Sequence, residues 1–377
     1  MVSVIEMRKI IIVGAGASGV YLSILLKQSH PSLDVIVLEA NKTPLKKLLA
    51  TGNGRCNLSN KEMNISHYEG DQLDLVKDIV EDFNMEEAMK SLGLYTKYMG
   101  NLLYPRSEQA KSVKNILMSH AENLGVVFLY EQKVEDIYYD GTYHIKTETS
   151  HYHSDGVVLA MGTPAGKLST MDDRQKILKH LDLSMKKMTP SLTQMITYPV
   201  YKQLKGVRVK GHFTLEKDGR ILREEDGELL FTQYGVSGIA VMQLSRCYEE
   251  GCRLHIDMMK EYTKEELKDI IESLQELEHP YDGLVPYQIS ALLEKTKPLP
   301  FLKDLTLEVK ELREAQYAQV MSGGILLENV NSSLESKKYP HLYAMGELLN
   351  VTGDCGGYNL HFALACAKRI ARDLKEQ

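Results

Sequence analysis

Three observations predict an α/β fold for this 377-residue chain, a parallel sheet interrupted by an inserted β-rich domain. Residues 10–39 carry a strand, a glycine-rich turn, a helix and a second strand. Two later apolar strands, near residues 156–162 and 342–347, also end in glycine. Between them, from about Pro190, the chain changes to short β-type segments broken by a helical stretch.

The first unit reads Ile10-Ile-Ile-Val-Gly14-Ala-Gly16-Ala17-Ser18-Gly19, and Val35-Ile-Val-Leu38 then ends in Glu39. Gly14 lets the chain turn off the strand, Gly16 lets backbone approach a pyrophosphate, and Gly19 lets helix pack close on strand. Amides at the helix N-terminus and the helix dipole hold the phosphates. Glu39 falls where the ribose hydroxyls of an adenosine lie, and an acid there favours a free 2′-hydroxyl.

Residues 72–92 have helical spacing, with Leu73, Val76, Ile79, Val80 and Phe83 on one stripe and Gly93 as the stop. A second helix is expected over 107–123, capped by Ser107 with Glu108 in its first turn. Strands follow at 126–130, 134–139 and 143–149, the last two joined through Asp140-Gly141. Residues 156–162 read as a buried strand.

From Pro190 the β-type segments are 192–200, 206–215 and 229–232, with a turn at 217–220. Residues 263–305 turn helical, opened by a Thr263–Glu266 capping box and punctuated by prolines 280, 286, 298 and 300. Strands resume at 305–309 and 319–327, and an amphipathic helix runs from Asn359 through Phe362, Leu364, Ala365, Ile370 and Leu374. The domain boundaries follow: a nucleotide-binding domain over 1–189, a β-rich insert over 190–260, a helical insertion over 261–305, a return to the β-rich domain over 306–330, and a C-terminal part over 331–377. Residues 1–6 read as an unstructured lead-in.

With 43% hydrophobic residues the chain can bury a large core in two or three domains. Its net charge of −6 offers no basic field, so neither nucleic acid nor an anionic membrane is an expected partner. Lys202, Lys205, Arg208 and Lys210 alternate with apolar residues as on the solvated face of a strand. The five cysteines are odd in number, scattered and without a CxxC pair, which points to a reducing cytoplasm and to no metal site. No apolar stretch approaches the ~20 residues of a membrane span, and no secretory signal opens the chain.

Three strands thus end in glycine, at Gly14, Gly162 (after Ala160 and Met161) and Gly346. Ligands of open parallel sheets gather beyond the carboxyl ends of strands, so one long ligand can touch all three. FAD extended across the sheet would use Gly346-Glu347 for its ribityl and phosphate portion. With a single full GxGxxG, a nicotinamide has no fingerprint turn of its own. Gly353-Asp-Cys-Gly356-Gly357-Tyr358-Asn359 precedes the last helix; its paired glycines let backbone approach a flat ring. The helix end there would stabilise a reduced flavin by about 0.3–1 kcal/mol.

Thr51-Gly-Asn-Gly-Arg-Cys-Asn57, Leu230-Phe-Thr-Gln-Tyr-Gly-Val-Ser-Gly238, Gly346-Glu347 and Gly356-Gly-Tyr-Asn-Leu360 together resemble the BaiN/RdsA-type (HI0933-like) bacterial flavoproteins, nearly end to end. The resemblance implies an FAD-binding Rossmann domain of the glutathione-reductase type, with an inserted β-barrel-like domain that carries a helical subdomain. It implies that Gly52, Gly54, Arg55, Cys56 and Asn57 lie against FAD and that Gly356, Gly357, Tyr358, Asn359 and Leu360 approach the isoalloxazine. Ala40, Lys47 and Val134 complete the expected cofactor contacts. Family members commonly have Gly-Gly-Gly where this chain has Gly52-Asn53-Gly54, and often Asp where it has Asn350. Asn53 tolerates a left-handed backbone; the missing charge at Asn350 weakens any proton-transfer role there.

The candidates for chemistry are Tyr358, His361 and Cys56, the last paired in motif context with Cys355; Arg55 fits a phosphate or carboxylate partner better than chemistry. The expected activity is an FAD-dependent oxidoreduction: NADH or NADPH supplies hydride and a small organic substrate, with an enone-type double bond as one class, receives it. A dioxygen-using oxidase and a flavoprotein of RNA modification or redox binding are the alternatives.

Overall fold

The computed structural model describes residues 7–167 and 174–376; the expected lead-in, residues 1–6, lies outside them. The chain forms two compact units, Met1–Thr189 with Val320–Gln377, and Pro190–Gln319.

The first unit is built on a five-stranded parallel sheet in the order Leu342–Ala344, Gly156–Leu159, Lys9–Val13, Asp34–Leu38, Val127–Leu129. Ile10, Ile11 and Ile12 are fully buried, because both faces of a parallel sheet are covered. The helix Ala17–Ser29 covers one face and packs against the final helix, Tyr358–Glu376. Val134–Tyr139, Tyr143–Thr147 and His151–Ser154 form an antiparallel meander. Smaller pairings bring Ser59–Asn60 beside Leu102–Pro105, and Tyr68–Gly70 beside Val351–Gly353.

Several expected elements differ. The helix over 72–92 is two, Leu73–Glu81 and Met85–Ser91, because the Asn84 side chain accepts the Glu87 amide and starts a new helix. The helix expected from Ser107 begins at Ala110: Glu108 is left-handed at φ 53°, and the Ser107 hydroxyl accepts the Gln109 amide outside the helix. The strand over 143–149 stops at Thr147, and the polar run His151–Ser154 pairs back on it.

In the second unit the strands Met195–Tyr198, Gly235–Ser237, Arg220–Phe231, Arg208–Lys217, Arg253–Asp257 and Leu305–Leu312 close into an antiparallel barrel in that order. Alternate residues Phe213, Leu215, Leu229, Phe231, Leu254, Ile256 and Leu307 fill it. Helices Lys264–Ser273, Tyr287–Leu293 and Pro298–Lys303 lie between its last two strands, and the first of them carries the Thr263–Glu266 capping box. Lys202, Lys205, Arg208 and Lys210 are exposed. The expected return to this domain over 306–330 is too long. Leu305–Leu312 pairs with strands on both sides and closes the barrel, so no edge remains for Val320–Ile325, which belongs to the first unit.

Candidate functional site

The strand order sets Gly346, Gly162 and Gly14 beyond the carboxyl ends of three adjacent strands. Two glycines of the first turn are required by the protein itself: a Cβ on Gly14 would lie 2.5 Å from the Ala160 carbonyl oxygen, and one on Gly19 only 2.1 Å from that of Gly14. Gly16 is different. Its φ of −76° suits any residue, and a Cβ there would meet nothing within 4 Å. The open side of Gly16 is a cradle, and the helix that begins after it has no side-chain cap and no acid in its first turn. That arrangement fits a pyrophosphate on the exposed amides beside Ala17 and Ser18.

Glu39 is buried. Its Oε2 accepts the Ala15 amide at 2.9 Å, and its Oε1 accepts the Asn41 amide at 2.8 Å and the Asn41 side-chain amide at 2.6 Å. A carboxylate has about four acceptor sites, so one lone pair of Oε2 remains for a ribose hydroxyl. Backbone bonds from Glu39 to Leu129 and from Gln132 to Glu39 run the segment leading to Val134 beside Ala40.

Across the sheet, Glu347 gathers distant residues. Lys47 Nζ lies 2.6 Å from its Oε2, and the Thr163 hydroxyl donates to the same oxygen at 3.0 Å. A Cβ on Gly162 would come 3.9 Å from that oxygen, and one on Gly346 3.5 Å from Ser18 Oγ. The Ala160 amide donates to Val13, and Arg174 donates to the Met161 carbonyl. Thr163 and Asn41 had no sequence signal, since only folding shows what they touch.

In the 51–57 loop Gly52 and Asn53 are both left-handed at φ 55°, the conformation Asn53 was expected to tolerate. Asn57 Oδ1 is buried with no hydrogen-bond partner, an orphaned acceptor that a ligand donor would satisfy. Arg55 is exposed, near the Tyr104 ring and Glu108. Burial pushes the Cys56 thiol up to about 11, which makes it a poor nucleophile near neutral pH.

The glycine pair before the last helix also meets a packing demand of the protein itself. A Cβ on Gly357 would lie 2.6 Å from the Ser59 carbonyl oxygen, and one on Gly356 3.2 Å from Asn60 Nδ2. Close approach to the Ser59 backbone requires glycine at 357, and a φ of 119° favours it at 356. Asn359 braces the turn, accepting the Gly353 amide at 2.8 Å and donating to the Gly353 carbonyl at 2.9 Å; Leu360 is partly buried against the core.

His361 is a packing residue. Its Nε2 donates to the Val80 carbonyl at 3.0 Å, so its Nδ1 accepts from the Ser59 hydroxyl at 2.8 Å, and burial lowers the ring to about 4. Both nitrogens are engaged in the neutral form. Tyr358 is buried, donates to the Glu62 carbonyl, and burial pushes its phenol up to about 12. Its ring stacks 4.4 Å from that of His67, which Asp354 holds at 2.9 Å, a pairing invisible in sequence.

A family model described as the HI0933-like protein Rossmann domain matches residues 8–373. The chain belongs to the HI0933-like family. Its first unit is an FAD-binding Rossmann domain, and the protein is a flavoprotein oxidoreductase. The Gly16 cradle, the uncapped helix, the open lone pair of Glu39 and the orphaned Asn57 oxygen fit FAD. Among relatives, the 3-dehydro-bile acid delta(4,6)-reductase of Clostridium scindens is 30% identical over 98% of this chain and 100% of its own length. The ribosomal RNA dihydrouridine synthase of Escherichia coli is 25% identical over 97% of each chain. A flavocytochrome c3 fumarate reductase shares the fold with a TM-score of 0.54 at 13% identity, over 99% of this chain and 78% of that one. Among the described residues no helix is long and apolar enough to cross a membrane.

Proposed function

We propose that this HI0933-like protein takes hydride from NADH or NADPH and reduces a carbon–carbon double bond conjugated to a carbonyl in a small organic substrate. The observation that carries the reading is the row of Gly14, Gly162 and Gly346 on adjacent parallel strands, with Lys47 and Glu347 closing over it. Glu39, Ala17 and Ser18 would hold the adenosine diphosphate half of FAD, and Gly162, Lys47 and Glu347 its middle. Bound FAD supplies a reversible two-electron carrier, while the protein orients it and tunes its charge.

The names of the two curated relatives share one chemistry. A 4,6-unsaturated 3-oxo steroid and a uracil ring both present a double bond conjugated to a carbonyl, the class of bond that hydride attacks. The net charge of −6 favours a small molecule over RNA as the acceptor. Buried Cys56, Cys252 and Cys366 suit a reducing cytoplasm.

Anaerobic mixing of the yellow protein with NADH or NADPH tests the donor: the flavin absorbance should bleach, and a band that never bleaches sinks the reductase reading. Adding an enone to the bleached protein should restore the colour. Restoration by dioxygen alone favours the oxidase, and restoration by an unmodified ribosomal RNA fragment favours uridine as the acceptor.

A further inference from the structure

The motif Leu230–Gly238 belongs to the barrel unit, and its local packing shows what it builds. Thr232 and Gly235 close a tight turn, the Thr232 amide donating to the Gly235 carbonyl at 2.8 Å and the Gly235 amide to the Thr232 hydroxyl at 3.1 Å. A Cβ on Gly235 would lie 2.3 Å from the Met195 carbonyl oxygen, so only glycine lets this turn seat on the neighbouring strand. The turn fixes Tyr234. Its hydroxyl donates to Gln194 Oε1, and its ring lies 4.2 Å from the Arg313 guanidinium carbon. Tyr317 places a second ring 3.4 Å from the same carbon, and Gln194 Oε1 also accepts from Arg313 Nη1 at 3.2 Å.

Arg208, Arg220 and Arg223 in this unit each pair with a glutamate. Arg313 is half-buried and, among the described residues, has no carboxylate partner. Of its five N–H donors one is used by the side chain of Gln194. A guanidinium lying against aromatic rings keeps its in-plane edge free for two parallel hydrogen bonds, the geometry that matches a planar carboxylate. We infer that Arg313, framed by Tyr234, Tyr317 and Gln194, is an anion-recognition residue that takes the carboxylate of a small organic acid. The exposed Glu311 and Glu314 flank it in sequence and, with the net negative charge, oppose a polyanion such as RNA.

The choice of an enone acid as probe rests on the function proposed above; the binding readout does not. A 3-oxo-Δ4 steroid acid and its methyl ester are titrated calorimetrically into the flavin-loaded protein. The native chain should bind the acid at least about tenfold more tightly than the ester, and Arg313→Gln should carry that ratio to near one, raising the acid Kd about 10- to 100-fold. If Arg313→Gln does not fold by thermal melt, Arg313→Lys keeps the charge, loses the fork and should still lower the ratio. The inference is overturned if the native protein shows no preference for the acid, if acid and ester weaken together, or if a ribosomal RNA fragment displaces the acid. A native protein that prefers the acid but never bleaches with a nicotinamide leaves this site standing and removes the proposed reaction.

Discussion

Lys47 and Glu347 are 300 residues apart in the chain, and their side chains meet at 2.6 Å with Thr163 on the same carboxylate oxygen. Both are partly exposed, so the pair itself stabilises the fold by less than about 1 kcal/mol. The proposed function assigns the pair to the middle of the cofactor groove. Lys47→Ala and Glu347→Ala should therefore melt near the native temperature yet weaken FAD binding about tenfold or more, read by fluorescence titration of the apoprotein. Unchanged affinity in both variants would remove these residues from the site.

Gly16 and Gly19 should respond oppositely to the same substitution. Gly16→Ala meets no atom within 4 Å and should fold normally, but its methyl group occupies the phosphate cradle and flavin content should fall. Gly19→Ala drives a Cβ to 2.1 Å from the Gly14 carbonyl oxygen and must push helix off strand, costing about 1–3 kcal/mol or more. Melting curves with flavin-to-protein absorbance ratios separate the two outcomes.

His361 makes stability depend on pH in one direction. The unfolded ring takes a proton as pH falls through about 6.5, whereas the buried ring waits until about 4. The unfolded chain binds more protons in that window, so stability is full above it and falls as pH drops, by up to about 3 kcal/mol. Melting temperature should decline across the window, and His361→Gln should flatten part of that decline; an identical slope in the variant would show that other groups set it.

Asn350 donates to Asp71 Oδ1 at 2.7 Å, while Asp71 Oδ2 accepts the Leu327 amide at 2.6 Å. An Asp at this position would face the Asp71 carboxylate. Asn350→Asp should destabilise the protein at neutral pH by about 1–3 kcal/mol, and adding Asp71→Asn should restore most of it. Chemical denaturation of the two single variants and the double variant measures the coupling, and additivity would refute the pairing.

Three strands of the parallel sheet were legible because each is a short apolar run ending in glycine, and Glu39 because its distance from the turn follows from one helix and one strand. Where local rules compete, the local pattern does not decide the element. The 72–92 stripe is continuous in spacing, yet the Asn84 cap divides it, and Ser107 is a good cap residue that the left-handed Glu108 disengages. Cys56, Tyr358 and His361 carry reactive groups in the right motifs, and only the fold shows that burial keeps the thiol and phenol protonated and the imidazole neutral near pH 7.

The sequence by itself determined where the chain must turn and where backbone must come close, because glycine, alternation and caps act over a few residues. It therefore specified the nucleotide turn, the glycine-ended strands and the β-rich insert. Only the tertiary structure decided what those close approaches serve: Gly16 opens onto space for a ligand, whereas Gly357 is required by Ser59. It also decided the meetings of Lys47 with Glu347 and of Tyr234 with Arg313. These contacts join residues that share no local period, so their geometry exists only once sheet and barrel have closed.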